Sequence, residues 1–456
     1  MRLESSSRFL QDAFRWAVEK TGQFVVTGTR SGPVNKGEGG KWYGPGRRVL
    51  DAPTEPWAQP RDYQPAFWAG YYDRTACYIR DFVHQAAGAY LVGLEKELFN
   101  MFYTFVSHAN EKTGWFAPWA FNFDNSVYYM DTPNETEFVR ELTAQFELVE
   151  TAYRLYLWSG DRRYVEDEVI FNFIQKTLTE LTDRLDGAVL GEKNGIPEGF
   201  GHIFRISATY NERGFNAAEA ADSIAALYQA ILAYANILKL RGDSREAAVQ
   251  RRRAEELKKY FNREWSVAEG TDRFVYAVDN TGTKHFTWEK NGREIHGGET
   301  LMFIPLKQLS EPGERNERLL DYIHDCQLDP RTRGDNIESL TYLPDLFFRS
   351  GRAEEGWYWM KHIIAQKDLP HEHKTQGTNG DYPEISFTFV SQVVEGLMGI
   401  SVDAAAGGIS VSPCLPAEIG DIRLYDLRFG EYTVDVFIEN GRISVIGHGE
   451  KTVLRR

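Results

Sequence analysis

Residues 136–183 read TEFVRELTAQFELVETAYRLYLWSGDRRYVEDEVIFNFIQKTLTELTD. Apolar residues recur at helical spacing on both sides of Ser159-Gly160-Asp161, which predicts helices over 136–159 and 161–183. A glycine between them can adopt the left-handed conformation that ends a helix. The stretch therefore predicts two antiparallel helices joined by a tight turn.

Turns of the same form recur along the chain, as Arg241-Gly242-Asp243 and Ser350-Gly351-Arg352, with further glycine turns at Gly93 and Gly313. The same periodicity predicts ten more helices, to make twelve in all. Their ranges are 4–20, 68–90, 94–108, 215–241, 243–262, 298–309, 313–325, 336–350, 352–365 and 385–398.

The connections between these helices alternate between short glycine turns and long loops. Long loops inside a compact domain are usually functional or disordered. In a closed double ring of helical hairpins, an (α/α)6 toroid barrel, every long loop falls on one face, which becomes the working face. An open helical solenoid is the alternative, but solenoid repeats have a fixed period. Here the distance from Gly160 to Gly242 is 82 residues and from Gly242 to Gly351 is 109, so a barrel with loop insertions fits better.

The texture of the sequence changes after Ile400, where short alternating runs are separated by Gly, Asn and Asp. This pattern predicts strands. We therefore expect a barrel domain over residues 1–400 and a small C-terminal antiparallel β module over 401–456.

Composition narrows the class of protein. With 52 basic and 66 acidic side chains the net charge is −14, which argues against partnership with nucleic acid or an anionic membrane. Three scattered cysteines indicate neither a disulfide framework nor a zinc cluster. No apolar run is expected to span a bilayer, and the start of the chain has no secretory h-region. We therefore expect a soluble cytoplasmic protein that uses no metal and no cofactor.

Paired carboxylates are the strongest chemical signal. The loop NGIPEGFGHIFRISATYNERGF (194–215) holds Glu198, Arg205 and Glu212, and the loop HEHKTQGTNGDYPEIS (371–386) holds Glu372, Asp381 and Glu384. Inverting cleavage of a glycosidic bond needs a protonated acid and an ionised base about 6.5–9.5 Å apart. Two loops that face one barrel mouth can supply this pair.

Two further groups are candidate sugar-binding residues. An Arg80-Asp81 pair lies within an apolar helix, where burying charge is costly unless it is satisfied. Trp115 and Trp119 lie in GWFAPWAF (114–121) and offer flat apolar faces, which sugar rings also have; anchoring of the loop is the alternative.

At these places the chain resembles the six-hairpin glycosidase superfamily, whose members share the (α/α)6 barrel. YIRDF (78–82) is similar to the glucoamylase segment whose Arg-Asp pair holds the hydroxyls of the terminal sugar, which implies that role for Arg80 and Asp81. GDYPEISFTFVSQVVEGL (380–397) resembles a trehalase segment, and Asp381 takes the position of the trehalase base. LMGISVDAAAGGISVSPCLPAEIGDIRLYDLRFG (397–430) resembles the tail of α-L-rhamnosidases and maltose phosphorylases.

The resemblance leaves the acid open, because glucoamylase spacing favours Glu212 and trehalase spacing favours Glu198. The sequence thus predicts an inverting, exo-acting glycoside hydrolase on oligosaccharides or glycosides. Asp381 is the predicted base, Glu384 and Glu372 are its alternatives, and Arg205 is expected to bind substrate. A sugar phosphorylase on the same fold and a non-catalytic sugar-binding barrel remain as alternatives.

Overall fold

A computed structural model of the chain describes residues 1–30, 41–42, 48–49, 61–71, 76–128, 139–211, 216–286, 289–290, 293–294, 299–333, 336–373, 376–448 and 454–455. Its helices are α1 Arg8–Thr21, α2 Ile79–Leu91, α3 Glu95–Ser107, α4 Leu142–Ser159, α5 Arg163–Glu166, α6 Glu168–Lys176, α7 Thr182–Leu185, α8 Ala221–Leu240, α9 Ser244–Tyr260, α10 Glu299–Leu306, α11 Glu314–Leu328, α12 Tyr342–Arg349, α13 Ala353–Ala365 and α14 Pro383–Ser391.

The strands are short and most lie in the long connections or at the C-terminal end. They are β1 Arg2–Ser5, β2 Val25–Arg30, β3 Lys41–Trp42, β4 Arg48–Val49, β5 Arg61–Phe67, β6 Ala76–Tyr78, β7 Ala120–Asn122, β8 Ala217–Ala220, β9 Ala277–Asp279, β10 Lys284–His285, β11 Glu289–Lys290, β12 Arg293–Glu294, β13 Ile400–Asp403, β14 Gly408–Val411, β15 Ile422–Phe429, β16 Tyr432–Glu439, β17 Arg442–His448 and β18 Leu454–Arg455.

The helices form a closed double ring, which confirms the predicted (α/α)6 barrel. Helices α2, α4, α8, α10, α12 and α14 pack against one another in that order, and the turn that continues α14 packs back on α12. Helices α1, α3, α9, α11, α13 and the segment from α5 to α7 form the outer layer. Helix α1 precedes α2 in the chain and packs on α14, and each later outer helix follows its inner neighbour through a short turn. The long connections that lead into the inner helices therefore lie at the opposite end of the barrel.

Four of the five glycines of the predicted turns follow a helix as the sequence indicated, whereas Gly313 has φ 144° and is the N-cap of α11. Gly93, Gly160, Gly242 and Gly351 all have positive φ, between 67° and 89°. Gly160 caps α4 in the left-handed conformation, and its N–H donates to Tyr156 O. A residue with a Cβ would pay a strain cost at such a position.

Several helix boundaries differ from the predictions. The predicted helix over 68–90 begins only at Ile79, because Trp68 N–H bonds to Phe24 O and Tyr78 N–H bonds to Ala69 O in a loop-and-strand entry. The apolar run Phe67–Ala69 is buried there in extended structure. The predicted helix over 136–159 begins at Leu142, and the predicted outer helix over 161–183 is broken at Asp167, which caps α6.

The C-terminal strands are present, but the first strand of the chain joins them. One antiparallel sheet has the order β1-β15-β16-β17, with Leu3 opposite Leu424. The other has the order β13-β14-β18, in which β14 and β18 run parallel. The helix expected from residue 4 therefore begins at Arg8, after Ser7, whose side chain accepts from Leu10 N–H.

Helix α8 departs from another expectation. By length and composition alone it could cross a membrane, with a mean hydropathy of 1.3 in its most apolar window. That window is 67% buried inside the barrel, and core helices of this kind pass the same test. Its apolar side chains pack against the neighbouring helices of the barrel.

The close approach of the α2 and α14 backbones at Gly88 predicts a strongly destabilising substitution. A Cβ at Gly88 of α2 would lie 1.9 Å from Phe387 O of α14. We expect Gly88→Ala to lower the free energy of unfolding by about 1–3 kcal/mol or more, because both backbones must separate. Gly22→Ala is the matched control, since Gly22 has φ −61° and no atom within 4 Å of the added methyl group. Equal urea midpoints for the two variants would contradict this packing.

Candidate active site

The long-loop end of the barrel gathers the amino termini of the inner helices. Helix amino termini carry a partial positive charge, which stabilises acidic side chains in the first turn. Asp81, Asp222 and Glu384 occupy the first turns of α2, α8 and α14. The architecture thus concentrates carboxyl groups around the mouth of the barrel.

Asp81 is buried in the mouth, with 8% of the residue exposed. Its Oδ1 accepts a hydrogen bond from the Tyr382 hydroxyl. Burial and then the charge of Glu384 raise the pKa of Asp81 to about 7, against the opposing effects of the Tyr382 hydrogen bond and Arg80. Near neutral pH this side chain can therefore carry a proton and give it away.

Glu384 lies deeper and is held by two donors. Its Oε1 is 2.7 Å from Nδ1 of His84 and accepts from Thr341 Oγ1 at 2.5 Å. His84 Nε2 lies 3.3 Å from Oδ2 of Asp345, so both ring nitrogens face carboxylates. Burial alone would lower the pKa of His84, but the charge of Glu384 and the two hydrogen bonds raise it to about 9. His84 is thus an imidazolium that links two carboxylates.

A third carboxyl group, Glu338, lies in the turn before α12. Its Oε1 accepts from the Tyr71 hydroxyl and from Asn336 Nδ2, and its Oε2 lies 3.1 Å from His371 Nε2. His371 Nδ1 accepts the backbone N–H of His373, so Nε2 carries the ring proton and donates to Glu338. Three donors therefore fix both oxygens of Glu338.

Aromatic rings connect the Asp81 and Glu338 carboxyl groups. The Tyr71 and Tyr382 ring centroids are 5.1 Å apart, and His373 lies 4.7 Å from Tyr71. One tyrosine hydroxyl donates to Asp81 and the other donates to Glu338. The two carboxyl groups thus accept hydrogen bonds from two neighbouring tyrosines, and each has its own set of hydrogen-bond partners.

Arg80 borders the same site from the other side of α2. Its Nη2 donates to Glu141 Oε1 at 2.9 Å and to Tyr210 O at 3.0 Å, and its guanidinium lies 4.1 Å from the Tyr210 ring. These contacts fix the start of α2 against the loops that precede α4 and α8.

Charged side chains fill the barrel axis beneath these groups. Lys307 bonds to Glu147 at 2.7 Å and to Glu150 at 2.6 Å, and Tyr210 Oη donates to Glu147 at 2.8 Å. A cavity of about 40 Å³ remains among them, bordered also by His84. This floor leaves room for a few water molecules and closes the barrel below the mouth.

The structure places at the mouth one alternative for the base, Glu384, together with Asp81, which is predicted to bind sugar. Asp381, the predicted base, ion-pairs with Lys20 of α1 at 2.7 Å and accepts from Thr378 N–H and Oγ1. Burial raises the pKa of Asp381, but the bonds from Lys20 and Thr378 outweigh burial, and the pKa is lowered. These contacts explain Asp381 as a cap and an ion-pair partner.

The first loop is divided in a similar way. Glu198 is fully buried, and its Oε2 accepts the N–H groups of Val189 and Leu190, which organises residues 186–197. Arg205 is exposed and contacts Arg140 through its backbone carbonyl. Glu212 lies outside the described residues, so its predicted role stays a prediction.

The remaining candidates lie at the rim or beyond it. Trp119 is half-buried beside the mouth, edge-on to Tyr78 at 4.8 Å, and its carbonyl accepts from Ile79 N–H. Trp115 faces the outer layer, where its Nε1 donates to Glu180 at 3.0 Å. Glu372 is exposed and lies between His371 and His373 in the chain.

Sequence reasoning missed Glu338, His84 and His371. His84 follows Asp81 by three residues, so helical geometry places it one turn below on the same face. Glu338 precedes α12 as Glu384 begins α14, and the start of an inner helix is the positional signal that could have identified it. His371 lies in a loop, where histidines are usually solvated, but it is 5% exposed.

Two other features of the described residues lie away from the mouth. Asp426, Asp435 and His448 of the C-terminal sheet bring possible metal-ligating atoms within 4.8 Å of one another. A groove of about 520 Å³ lies in the outer layer, bordered by Glu180, Asp183 and Arg253 among others. Neither contacts the carboxyl groups of the mouth in the described structure.

Comparison with known proteins supports the fold. No protein-family model matches the chain. No curated protein matches it either. It superposes on a family GH78 rhamnosidase of Bacillus sp. GL1 with a TM-score of 0.66 and 11% identity, covering 97% of this chain and 41% of that one.

Two further solved structures are similar. An α-L-rhamnosidase of Aspergillus terreus gives a TM-score of 0.56 at 10% identity, with 98% of this chain and 49% of that one covered. A putative kojibiose phosphorylase from the human microbiome gives 0.52 at 8% identity, with 98% and 60% covered. The chain thus spans less than two thirds of each protein. It shares its fold with these three solved structures, as expected from the resemblance to (α/α)6-barrel proteins.

Proposed function

We propose that this chain is an inverting, exo-acting glycoside hydrolase in which Asp81 is the general acid and Glu338 the general base. The observation that carries the proposal is the contrast between two carboxyl groups at one barrel mouth. Burial and the charge of Glu384 raise the pKa of Asp81 to about 7, while three donors hold Glu338 as an acceptor. Carboxyl groups whose environments differ in this way are typical of an acid and a base.

In this mechanism Asp81 donates its proton to the leaving glycosidic oxygen. Glu338 accepts a proton from a water molecule that attacks the anomeric carbon from the opposite face. Inversion needs space for that water between the two groups, and the Tyr71–Tyr382 pair spaces the two carboxyl groups without a direct bond between them. Trp119 at the rim offers a face on which a sugar ring can stack.

Exo action in this proposal comes from the sequence resemblance, and the closed floor adds that substrate must enter from the mouth. Lys307, Glu147 and Glu150 block the axis beneath the site, so a sugar chain can enter from the mouth but cannot thread through. The solved structures of similar fold include two rhamnosidases and a phosphorylase, which supports a carbohydrate substrate.

A sugar panel tests the proposal. The purified protein is incubated with aryl glycosides and oligosaccharides, with and without phosphate, and released sugar is followed by proton NMR, which reports the anomer first formed. We expect phosphate-independent release of a terminal sugar with inverted configuration. Release that requires phosphate would transfer the assignment to a phosphorylase. Retained configuration would contradict the roles of Asp81 and Glu338, and binding without turnover would favour a non-catalytic barrel.

The Asp381→Asn variant separates the two candidate bases. We expect it to retain turnover and to lose about 0.5–2 kcal/mol of stability, because a cap and an ion pair are weakened. The lowered pKa of Asp381 means that this contribution is present above the unfolded value of 3.8 and is lost as pH falls below it. Thermal melting at pH 7 and pH 3 measures the loss. Abolished turnover with unchanged melting would instead identify Asp381 as the base.

A further inference from the structure

We infer that Glu384 and His84 are positioning residues: the carboxylate of Glu384, held by His84 and Thr341 beneath Asp81, keeps the proton on Asp81 through its charge and does not itself react. The inference rests on the proposed function, since it concerns how the proposed acid is kept protonated. It assigns a role to the buried part of the site that the acid and the base leave unused.

Two side chains place the carboxyl groups of Asp81 and Glu384 near each other, where α2 and α14 begin. His84, one turn after Asp81 on α2, has its Nδ1 2.7 Å from Oε1 of Glu384, and Tyr382, two residues before Glu384, donates to Asp81. Asp81 and Glu384 both lie in the first turns of these helices and are 8% and 4% exposed. Buried like charges at close range repel strongly, and one of the two groups retains a proton.

The charge of His84 beside Glu384 determines which of the two carboxyl groups retains the proton. His84 Nδ1 and Thr341 Oγ1 both lie within 2.7 Å of Oε1 of Glu384, and both can donate to it. Tyr342 stacks on His84 at 3.9 Å with an interplanar angle of 2°, which fixes the imidazole plane. The positive charge of the imidazolium thus lies beside Glu384, and Asp81 is the member of the pair that keeps the proton.

The far side of His84 is fixed as well. Asp345 Oδ2, 3.3 Å from His84 Nε2, also accepts from Gln392 Nε2 at 2.8 Å. Gln392 donates in addition to Thr341 O at 2.7 Å. Thr341 and Asp345 are therefore held by one side chain, and His84 cannot turn away from Glu384 without breaking this network.

Charged and titratable groups face Asp81 from each element packed on it. Arg80 and Cys77 come from its own segment, Tyr382 and Glu384 from the start of α14, and Glu338 from the turn before α12. After burial, the charge of Glu384 is the largest influence, and it raises the pKa of Asp81. Removing that charge is therefore the most direct way to release the proton from Asp81.

The test is a carboxyl titration of Glu384→Gln. The protein is labelled with aspartate carrying ¹³C at the side-chain carboxyl, and the Asp81 signal is assigned by its loss in Asp81→Asn. We expect the Asp81 midpoint to fall by about 1–2 pH units in Glu384→Gln. Thr341→Val is the control, since it removes one donor from Glu384 without changing any charge, and its midpoint should stay close to that of the wild type.

Activity provides a second readout. The alkaline limb of kcat/KM should shift acidward in Glu384→Gln by the same amount as the midpoint, with turnover retained. An unshifted midpoint would overturn the inference, whether turnover persists or is abolished. A shifted midpoint in a protein that cleaves no sugar would uphold the charge coupling and contradict the proposed function instead.

Discussion

Replacing Asp81 with asparagine is expected to lower kcat/KM on a natural glycoside by about 100- to 10,000-fold, the usual contribution of a general acid. An amide cannot donate a proton to the leaving oxygen. It does fit the site, because the buried side chain is already neutral over much of the pH range below about 7. Circular dichroism and urea unfolding should therefore show a folded variant.

Leaving groups make this prediction specific to the acid role. The dinitrophenolate leaving group of a dinitrophenyl glycoside departs without protonation. Asp81→Asn should therefore lose far less activity on this substrate than on an alkyl glycoside. Glu338→Gln removes the base, and its loss should be similar on both substrates. Glu372→Gln, an exposed change near the same mouth, is the matched control and should leave both rates nearly unchanged.

The pH dependence follows from the direction of the shift. The general acid must be protonated, so kcat/KM of the wild type should fall as pH rises through about 7. This alkaline limb should disappear in Asp81→Asn. An unaltered limb, or an equal loss on both leaving groups, would contradict the assignment of Asp81 as the acid.

The barrel could be predicted because its determinants are local. Glycine turns such as Gly160 end helices by their own conformational freedom, and the alternation of short and long connections permits few closed arrangements. The start of α2 could not be placed in this way. Residues 67–69 are as apolar as a buried helix, and pairing with a distant segment, as in Trp68 with Phe24, holds them outside one.

The site was predictable only in part for a related reason. Asp381 and Glu384 are three residues apart at the start of one inner helix, and the sequence favours Asp381 as the base with Glu384 as an alternative. Glu384 lies in the first turn and faces the axis, while Asp381 precedes the helix and meets Lys20 of α1. The role proposed for Glu338 depends on three donors, of which Tyr71 and His371 are distant from it in sequence.

The buried ion triad of the barrel floor carries the largest expected effect on stability. Lys307 is 7% exposed and contacts both Glu147 and Glu150. Lys307→Met should lower the free energy of unfolding by about 3–5 kcal/mol, because two buried carboxylates lose their counter-ion. Lys361→Met is the matched control: Lys361 pairs with Glu418 at 2.8 Å on the surface, where such a pair contributes about 0–1 kcal/mol.

The pH range of this effect follows from both partners. Burial lowers the pKa of Lys307, but the two carboxylates outweigh burial and raise it. The contribution of Lys307 to stability is therefore complete below the unfolded pKa of 10.5 and is lost as pH rises through the folded pKa. Burial raises the pKa of Glu150, but Lys307 outweighs burial and lowers it. The contribution of Glu150 to stability is therefore complete above the unfolded pKa of 4.5 and is lost as pH falls through the folded pKa. Urea unfolding should therefore separate Lys307→Met from the wild type most widely between these limits. A loss no greater than that of Lys361→Met at pH 7 would mean that water already screens the triad, and the floor would then be open enough to admit part of a substrate.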